Sequence, residues 1–447
     1  MQYIFWYDWV LTLILIGVTG IWARYFVQQH SEQSLIQQYF RKGLFIKILA
    51  SIAFACYHAY IYGGGDTFGY YTLAKDIVQH SKNHYGQLLN IVFQPVEWNY
   101  DYLNSISSGP DDLYIRSESN FFQVRLATLL LLFTFKSYLA TGVLFSLISY
   151  WGIWKGFVAF DKIFPGQQNL LAISFLFFPT VVFWGSGLGK DSLALGAICA
   201  FMAAVISVFI TKEKRGRNAL LILLMGCALL IIKSYIILAL IPALSISLAL
   251  LYIKNRKRTI SKILLTPVVL LALYFAGFFF VEYVNRNFED FSAENLADRI
   301  VTSNLNLQAD AGSAFDLGIR PENIGGLSDL AAFFPKAVVA SCFRPWIWEA
   351  KNPAMLLSAM EGFFLLIVGI VLLIKGKIFK TIQIIFSDPL LICFLLYGFV
   401  FLGLVGLSTS NFGTLVRYKL PCMPFVLMLF LITYKRLSKN KPHEQLD

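Results

Sequence analysis

Long apolar runs constrain the fold of this chain more than any other feature. Stretches of roughly 15 to 24 apolar residues recur along all 447 residues, and each is long enough or nearly so to cross a hydrocarbon core of about 30 Å. Only 14% of the residues are charged, whereas soluble domains carry about a quarter. The sequence therefore predicts an all-α, polytopic helical membrane protein and excludes an ordinary soluble enzyme.

The apolar runs can be assigned to individual spans. We predict about eleven transmembrane helices within one membrane domain, residues 1–447. They lie near residues 4–22, 44–62, 136–158, 168–186, 191–211, 218–232, 234–253, 261–283, 354–374, 388–407 and 420–434. Residues 123–135 are predicted to form a surface or re-entrant helix instead of a span.

Basic residues between the spans predict the orientation. The net charge of +11 comes largely from Lys and Arg in short loops, and the clusters of these residues all fall on one side of the membrane in this span assignment. Topology accounts for these charges, so nucleic acid is not an expected partner. The positive-inside rule predicts an N-terminus outside, a cytoplasmic C-terminus and a location in the inner or plasma membrane.

Two long loops remain, both on the predicted outer side. The first outer loop, residues 63–122, contains an amphipathic segment near 70–92 that predicts juxtamembrane helices. The second outer loop, residues 284–353, carries aromatic residues suited to the membrane interface. These loops are the only segments between predicted spans that are long enough to hold a soluble-facing site, so we expect such a site to lie in them.

The six cysteines occur singly and predict neither a disulfide framework nor a zinc site.

The first loop begins with the run GGGDTFGYYTLA, residues 63–74. Glycines allow close approach of the backbone, and Asp66 lies at the membrane edge, where its field is less screened than in water. Asp66 is a candidate general base or metal ligand. The alternative is a helix cap, with the carboxylate accepting from the backbone N–H of Phe68 or Gly69.

A second candidate lies in the hairpin WGSGLGKDS, residues 184–192. Its glycines precede a predicted helix whose N-terminus, together with Lys190, could bind an anion such as a lipid-linked phosphate. Asp191 and Ser192 are also common helix starters, so a simple cap with a tight turn is the alternative.

Further basic residues fall on the predicted outer side, against the positive-inside bias. An anionic ligand such as a phosphate would explain the group Lys233, Arg344, Arg417 and Lys419, although each alone could be a snorkelling residue. Glu361 lies about two turns into the ninth span, where an ionisable group is costly unless it is paired, with Arg344 or Arg417 as candidate partners. His58 is either a proton carrier or a hydrogen-bonded interfacial residue.

These motifs resemble those of the GT-C superfamily of polytopic glycosyltransferases, which use polyprenyl-phosphate sugars on the outer face of the membrane. GDTFGYYTLA matches the family's first acidic motif, and residues 177–198 resemble its Pro-then-acid hairpin. VRYKLPCMPF, residues 416–425, is similar to an Arg-Tyr segment of these transferases and of membrane polysaccharide polymerases. The resemblance implies catalytic roles for Asp66 and Asp191. Together with the charge pattern described above, it leads us to expect substrate or phosphate binding by Tyr71, Lys190, Lys233, Arg344, Glu361, Arg417 and Lys419.

The chain departs from the family in two respects. Asp66 has no adjacent acid, so no cofactor is assigned and a divalent metal stays open. The large loop follows the second span, where the family has it after the first. The expected function is transfer of a sugar, in an inverting reaction, from a polyprenyl-phosphate donor to a lipid-linked or cell-surface acceptor. An O-antigen or exopolysaccharide polymerase is the alternative, and a lipid-linked sugar flippase or transporter is a third hypothesis.

Overall fold

The computed structural model describes residues 3–30, 35–81, 85–108, 112–255, 300–303, 305–306, 314–320, 322, 324 and 327–439. Within these ranges the chain is helical, and the only β-type pairing is one isolated bridge between Ala314 and Asn411. The prediction of an all-α chain is confirmed for this part of the sequence.

Seventeen helices define the architecture of the described ranges. In chain order they are α1 Trp6–Gln29, α2 Ile36–Tyr62, α3 Asp66–His80, α4 Tyr85–Phe93, α5 Tyr100–Ile106, α6 Asp112–Ile115, α7 Glu118–Phe133, α8 Tyr138–Ile163, α9 Gln168–Phe177, α10 Pro179–Phe183, α11 Lys190–Ile210, α12 Arg215–Lys254, α13 Leu327–Phe343, α14 Pro353–Phe386, α15 Pro389–Ser408, α16 Phe412–Tyr418 and α17 Met423–Lys439.

Eight helical segments of the described chain are long and apolar enough to cross a membrane. They are α1, α2, α8, α11, α12, α14, α15 and the run Phe412–Ser438, which contains α16 and most of α17. A multi-pass membrane protein is therefore supported. The predicted span 261–283 lies outside the described residues, as does much of the second outer loop, and helix α7 is too short to count among the eight.

The predicted span 168–186 is not one continuous helix. Helix α9 ends at Phe177, and Phe178 adopts an extended conformation (ψ 122°) before α10 begins at Pro179. Proline has no N–H for the helical ladder, and its ring disfavours the helical conformation of the preceding residue. The break therefore follows from Pro179 in an otherwise apolar run.

Helix α12 covers two predicted spans, 218–232 and 234–253. Its 40 residues would extend about 60 Å as a straight helix, twice the thickness of the hydrocarbon core. The backbone of Lys233 is not helical (φ −154°, ψ 82°), so the segment consists of two helices that meet at this residue. The interruption coincides with the boundary that the sequence predicted.

The described chain divides into two compact units, residues 1–234 and 235–447. In the first unit α8 packs along α11 at very short range. A Cβ atom on Gly152 would lie 2.0 Å from the carbonyl oxygen of Gly196, and one on Gly156 would lie 3.1 Å from the Cβ of Cys199. Small residues four apart on one helix face permit this approach, as in other membrane helix pairs.

The helices of the second unit also pack closely at glycines. Helix α15 packs on α13, and a Cβ atom on Gly406 would lie 2.3 Å from the carbonyl oxygen of Ala337. Helix α14 packs on α17 and approaches the end of α13, where a Cβ atom on Gly362 would lie 2.4 Å from the carbonyl oxygen of Phe343. This last contact brings the residues after α13 close to Glu361.

Candidate functional site

The turn before α3 places Asp66 at the start of a helix. Gly63 and Gly65 have φ values of 70° and 106°, a left-handed region that residues with a Cβ atom rarely adopt. Gly65 takes the N-cap position, so Asp66 is the first helical residue, and its side chain is partly exposed. A carboxylate there is stabilised by the positive end of the helix dipole.

His58 lies directly beside this turn. Its side chain is buried, and its Nδ1 lies 2.9 Å from the carbonyl oxygen of Phe54. A carbonyl oxygen can only accept, so Nδ1 is the donor in this contact. A Cβ atom on Gly65 would lie 3.0 Å from Cδ2 of this ring and 3.5 Å from Nε2. The Nε2 edge of His58 therefore faces the residue before Asp66.

One face of α8 brings the acidic turn and the 184–190 hairpin to the same end of the first unit. Tyr138 shares a hydrogen bond of 2.9 Å with Thr67, the neighbour of Asp66. One turn later, Gly142 packs against the backbone of residues 187–188, and after another turn the Oγ of Ser146 accepts from the N–H of Gly187 at 2.8 Å. Residues four apart share a helix face, and these three span only about 12 Å.

Asp191 and Lys233 form a buried ion pair. Their side chains are 7% exposed each, and Lys233 Nζ lies 2.5 Å from Asp191 Oδ1. Helix α11 starts with residues 190 and 191, and the first half of α12 ends just before Lys233, so the pair joins the two ends of an antiparallel helix hairpin. A charge in such a buried position is tolerated because its counter-charge is in contact.

Lys190 connects the same end of α11 to α7. Its Nζ donates to the Oγ of Ser119 at 2.6 Å, and Ser119 donates in turn to the carbonyl oxygen of Ile232 at 3.0 Å. The predicted residues Lys190, Asp191 and Lys233 thus form one network at the N-terminus of α11. We call these three residues and Ser119 the α11 cluster.

Tyr71, predicted to bind substrate, is buried in the packing between α3 and α8. Its hydroxyl donates to the carbonyl oxygen of Lys136 at 2.8 Å, and its ring contacts that of Tyr138 edge-on. Burial raises the pKa of the phenol well above its ordinary value. These contacts stabilise the turn between α7 and α8, and the substrate-binding role of Tyr71 stays a prediction.

In the second unit Lys419 is the central buried cation. It is 2% exposed, and its Nζ donates to the carbonyl oxygens of Ser341 at 3.1 Å and of Arg344 at 3.4 Å. Glu361 is also buried and interacts electrostatically with Lys419. Lys419 is therefore a cation close to Glu361, whereas the sequence analysis named only Arg344 and Arg417 as candidate partners of Glu361.

Arg344 is held by an acid and two aromatic rings. Its guanidinium forms a salt bridge with Glu349 and lies 4.8 Å from the ring centroid of Phe315 and 5.1 Å from that of Phe412. Arg417 is partly buried at the end of α16, one residue before Tyr418. Arg344, Glu361, Arg417 and Lys419 thus belong to one unit, with Lys419 linking the ends of α13 and α16. Among the described residues, no group of three or more His, Cys, Asp or Glu side chains could hold a metal ion.

Two charged residues that lie buried inside apolar runs were not among the predicted site residues. Lys47 is 4% exposed within α2 and donates to the carbonyl oxygen of Gly185, in the hairpin that precedes the α11 cluster. Asp8 is 1% exposed in α1, accepting from the N–H of Phe5 at 2.8 Å and from the hydroxyl of Ser137 at 2.5 Å. An ionisable residue inside an apolar run is itself the signal that could have identified both.

Comparison of the chain with protein-family models, with curated proteins and with solved structures finds no match.

Proposed function

We propose that the protein is a membrane glycosyltransferase that moves a sugar from a polyprenyl-phosphate donor to a lipid-linked or cell-surface acceptor on the outer face of the inner membrane. The observation that carries the proposal is the arrangement at one end of α8. There the acidic turn with Asp66 and His58 lies near a hairpin that leads to a cationic helix N-terminus.

Asp66 is proposed as the general base. It would take the proton of the acceptor hydroxyl while the hydroxyl oxygen attacks the anomeric carbon and the bond from that carbon to the phosphate oxygen breaks. The electron pair leaves with the phosphate. Because the attack comes from the side opposite to the leaving group, the reaction inverts the anomeric configuration.

The α11 cluster is proposed to bind the phosphate that leaves. Lys190 carries a positive charge, and the first N–H groups of a helix stabilise anions. Asp191 is already paired with Lys233, so its carboxylate is occupied by an ion pair that holds the cluster together. It is therefore less suited to accept a proton than Asp66. We therefore assign proton transfer to Asp66 and treat Asp191 as a positioning residue.

The orientation belongs to the same proposal. The acidic turn lies outside if the N-terminus is outside and two spans precede the turn, and a total of about eleven spans then leaves the C-terminus in the cytoplasm. The eight apolar helical segments and the break of α12 at Lys233 are compatible with this scheme.

Substitution of the proposed base tests the function. Purified protein is mixed with labelled polyprenyl-phosphate sugars and a membrane extract that supplies acceptors. We expect Asp66→Asn to lower transfer by at least about 100-fold, the usual contribution of a general base. Asp101→Asn, which neutralises an exposed acid in the same loop, should leave the rate unchanged. Addition of EDTA in a parallel reaction tests whether a divalent metal takes part.

The outcomes separate this function from its alternatives. Equal transfer by wild type and Asp66→Asn would remove Asp66 from the mechanism. The Arg344 and Arg417 region also favours the polymerase hypothesis, which predicts a ladder of products where a transferase adds a single sugar. Movement of lipid-linked sugar across a liposome membrane without any covalent product would instead indicate a flippase or transporter.

A further inference from the structure

A cavity lies in the first unit at the opposite end of α8 and α11 from the α11 cluster. Its volume is about 240 Å³, and its lining includes Trp154, Lys155, Lys162, Ser207 and Thr211. Its lining residues along α11 run from Ala203 to Thr211, which follows the last residue of the helix, and they lie about 18 to 30 Å along the helix from Asp191. Because a hydrocarbon core is about 30 Å thick, Thr211 lies near the other membrane surface in the proposed orientation.

The charges around this cavity are predominantly positive. Lys155 and Lys162 line it, while Lys214 and Arg217 are close enough to act electrostatically on Lys155. The carboxylate in contact with this group, Glu213, is paired with Lys162 at 2.5 Å. Four cations and one acid leave an excess of positive charge that an anion would neutralise.

Lys155 has no acidic partner among the residues that the structure describes. The contact of its Nζ is with the ring of Trp151, at 4.9 Å from the centroid, and both cations that act on it are repulsive. The hydroxyl of Thr211, which also lines the cavity, is buried without a hydrogen-bond partner in the same part of the chain. A cation and a hydroxyl donor thus face one space.

We infer that this cavity binds the phosphate head of an anionic membrane lipid. Lysine and arginine pair with phosphate, and basic pockets between membrane helices are suited to lipid head groups. The volume is below the roughly 300 to 1,000 Å³ of pockets for drug-sized ligands, which suits a compact head group whose acyl chains stay in the bilayer. The lining supports the same arrangement, with Trp154, Val158 and Leu221 next to the lysines.

Lipid binding by purified full-length protein tests this site. Delipidated protein in a neutral detergent is titrated separately with phosphatidylglycerol, phosphatidylcholine and inorganic phosphate, and bound lipid is counted by native mass spectrometry while thermal unfolding is followed in parallel. We expect phosphatidylglycerol to bind at least tenfold more tightly than phosphatidylcholine. Lys155→Gln and Arg217→Gln should each weaken phosphatidylglycerol binding about fivefold, the typical effect of one basic residue.

Two variants serve as controls. Lys155→Arg keeps the charge and should retain binding within about twofold, which separates loss of charge from loss of folding. Lys212→Gln removes an exposed cation from the same connection without altering the lining and should also bind like wild type. Unchanged phosphatidylglycerol binding in Lys155→Gln and Arg217→Gln would overturn the inference. Stabilisation by inorganic phosphate equal to that by phosphatidylglycerol would overturn the assignment to a lipid.

Discussion

At the scale of single residues, the buried charged side chains and their partners are the most informative feature of the packing. Asp191 with Lys233 and Lys419 with Glu361 are removed from water, and each acid lies within electrostatic reach of a cation. Lys47 is buried too, but it donates to a backbone carbonyl. Taking charges out of water costs free energy, and these contacts offset part of that cost.

Breaking the Asp191–Lys233 pair should destabilise the first unit strongly. Lys233→Met leaves the carboxylate of Asp191 buried without its cation, and we expect the free energy of unfolding to fall by about 3 to 5 kcal/mol. The double variant Asp191→Leu with Lys233→Met removes both charges of the pair. We expect its free energy of unfolding to be close to that of the wild type. Unfolding of purified protein in mixed micelles measures all three chains.

The exposed pair Lys162–Glu213 gives the matched control. Both of its side chains are more than 40% exposed, so Lys162→Met should change the free energy of unfolding by no more than about 1 kcal/mol. If Lys233→Met lowered the free energy of unfolding no more than this control does, the buried pair Asp191–Lys233 would not stabilise the first unit.

At the scale of helices, close packing depends on glycines rather than on large apolar side chains. The approach of α8 to α11 leaves no room for a methyl group at the contact, because a Cβ atom on Gly196 would lie 2.7 Å from the Cα of Ser149. The neighbouring backbone cannot move aside as a flexible side chain could. This contact therefore fixes the position of α11 against α8, and with it the position of the α11 cluster at the start of α11.

Gly196→Ala should therefore separate α8 from α11. Overpacking of a tight contact typically costs about 1 to 3 kcal/mol, and we expect the thermal unfolding temperature to fall accordingly. Gly216→Ala is the control, since nothing lies within 4 Å of the added methyl group and alanine favours the helix over glycine by about 1 kcal/mol. Equal unfolding temperatures for the two variants would show that α8 and α11 are not in the described contact.

The sequence predicted many helices but fewer of their contacts. Hydropathy located the two halves of α12 correctly, since Lys233 interrupts an apolar run. It missed the break at Phe178, because Pro179 lies in a continuous apolar stretch that masks its effect on the backbone. It grouped Lys190, Asp191 and Lys233 on one side of the membrane, but it did not pair the last two, since a contact between residues 42 positions apart depends on tertiary packing.

For the whole molecule, the distribution of Lys and Arg predicts the orientation in the membrane. We expect alkaline phosphatase fused after Gly64 to be active, because this enzyme requires disulfides that form outside the cytoplasm. The same fusion after Lys212 should be inactive, while a fluorescent protein fused there should fold and emit. All three fusion proteins are measured in intact cells. The reverse pattern would place the acidic turn in the cytoplasm and remove the outer-face site.

Formation of a covalent product by the wild-type chain tests the central claim most directly. Purified protein in liposomes is given one labelled polyprenyl-phosphate sugar at a time together with membrane acceptors, and the products are separated by size. The glycosyltransferase proposal predicts that label moves into a product enlarged by one sugar, with release of polyprenyl phosphate. Label that stays on the donor across the whole panel, or that enters a ladder of lengths, would contradict it.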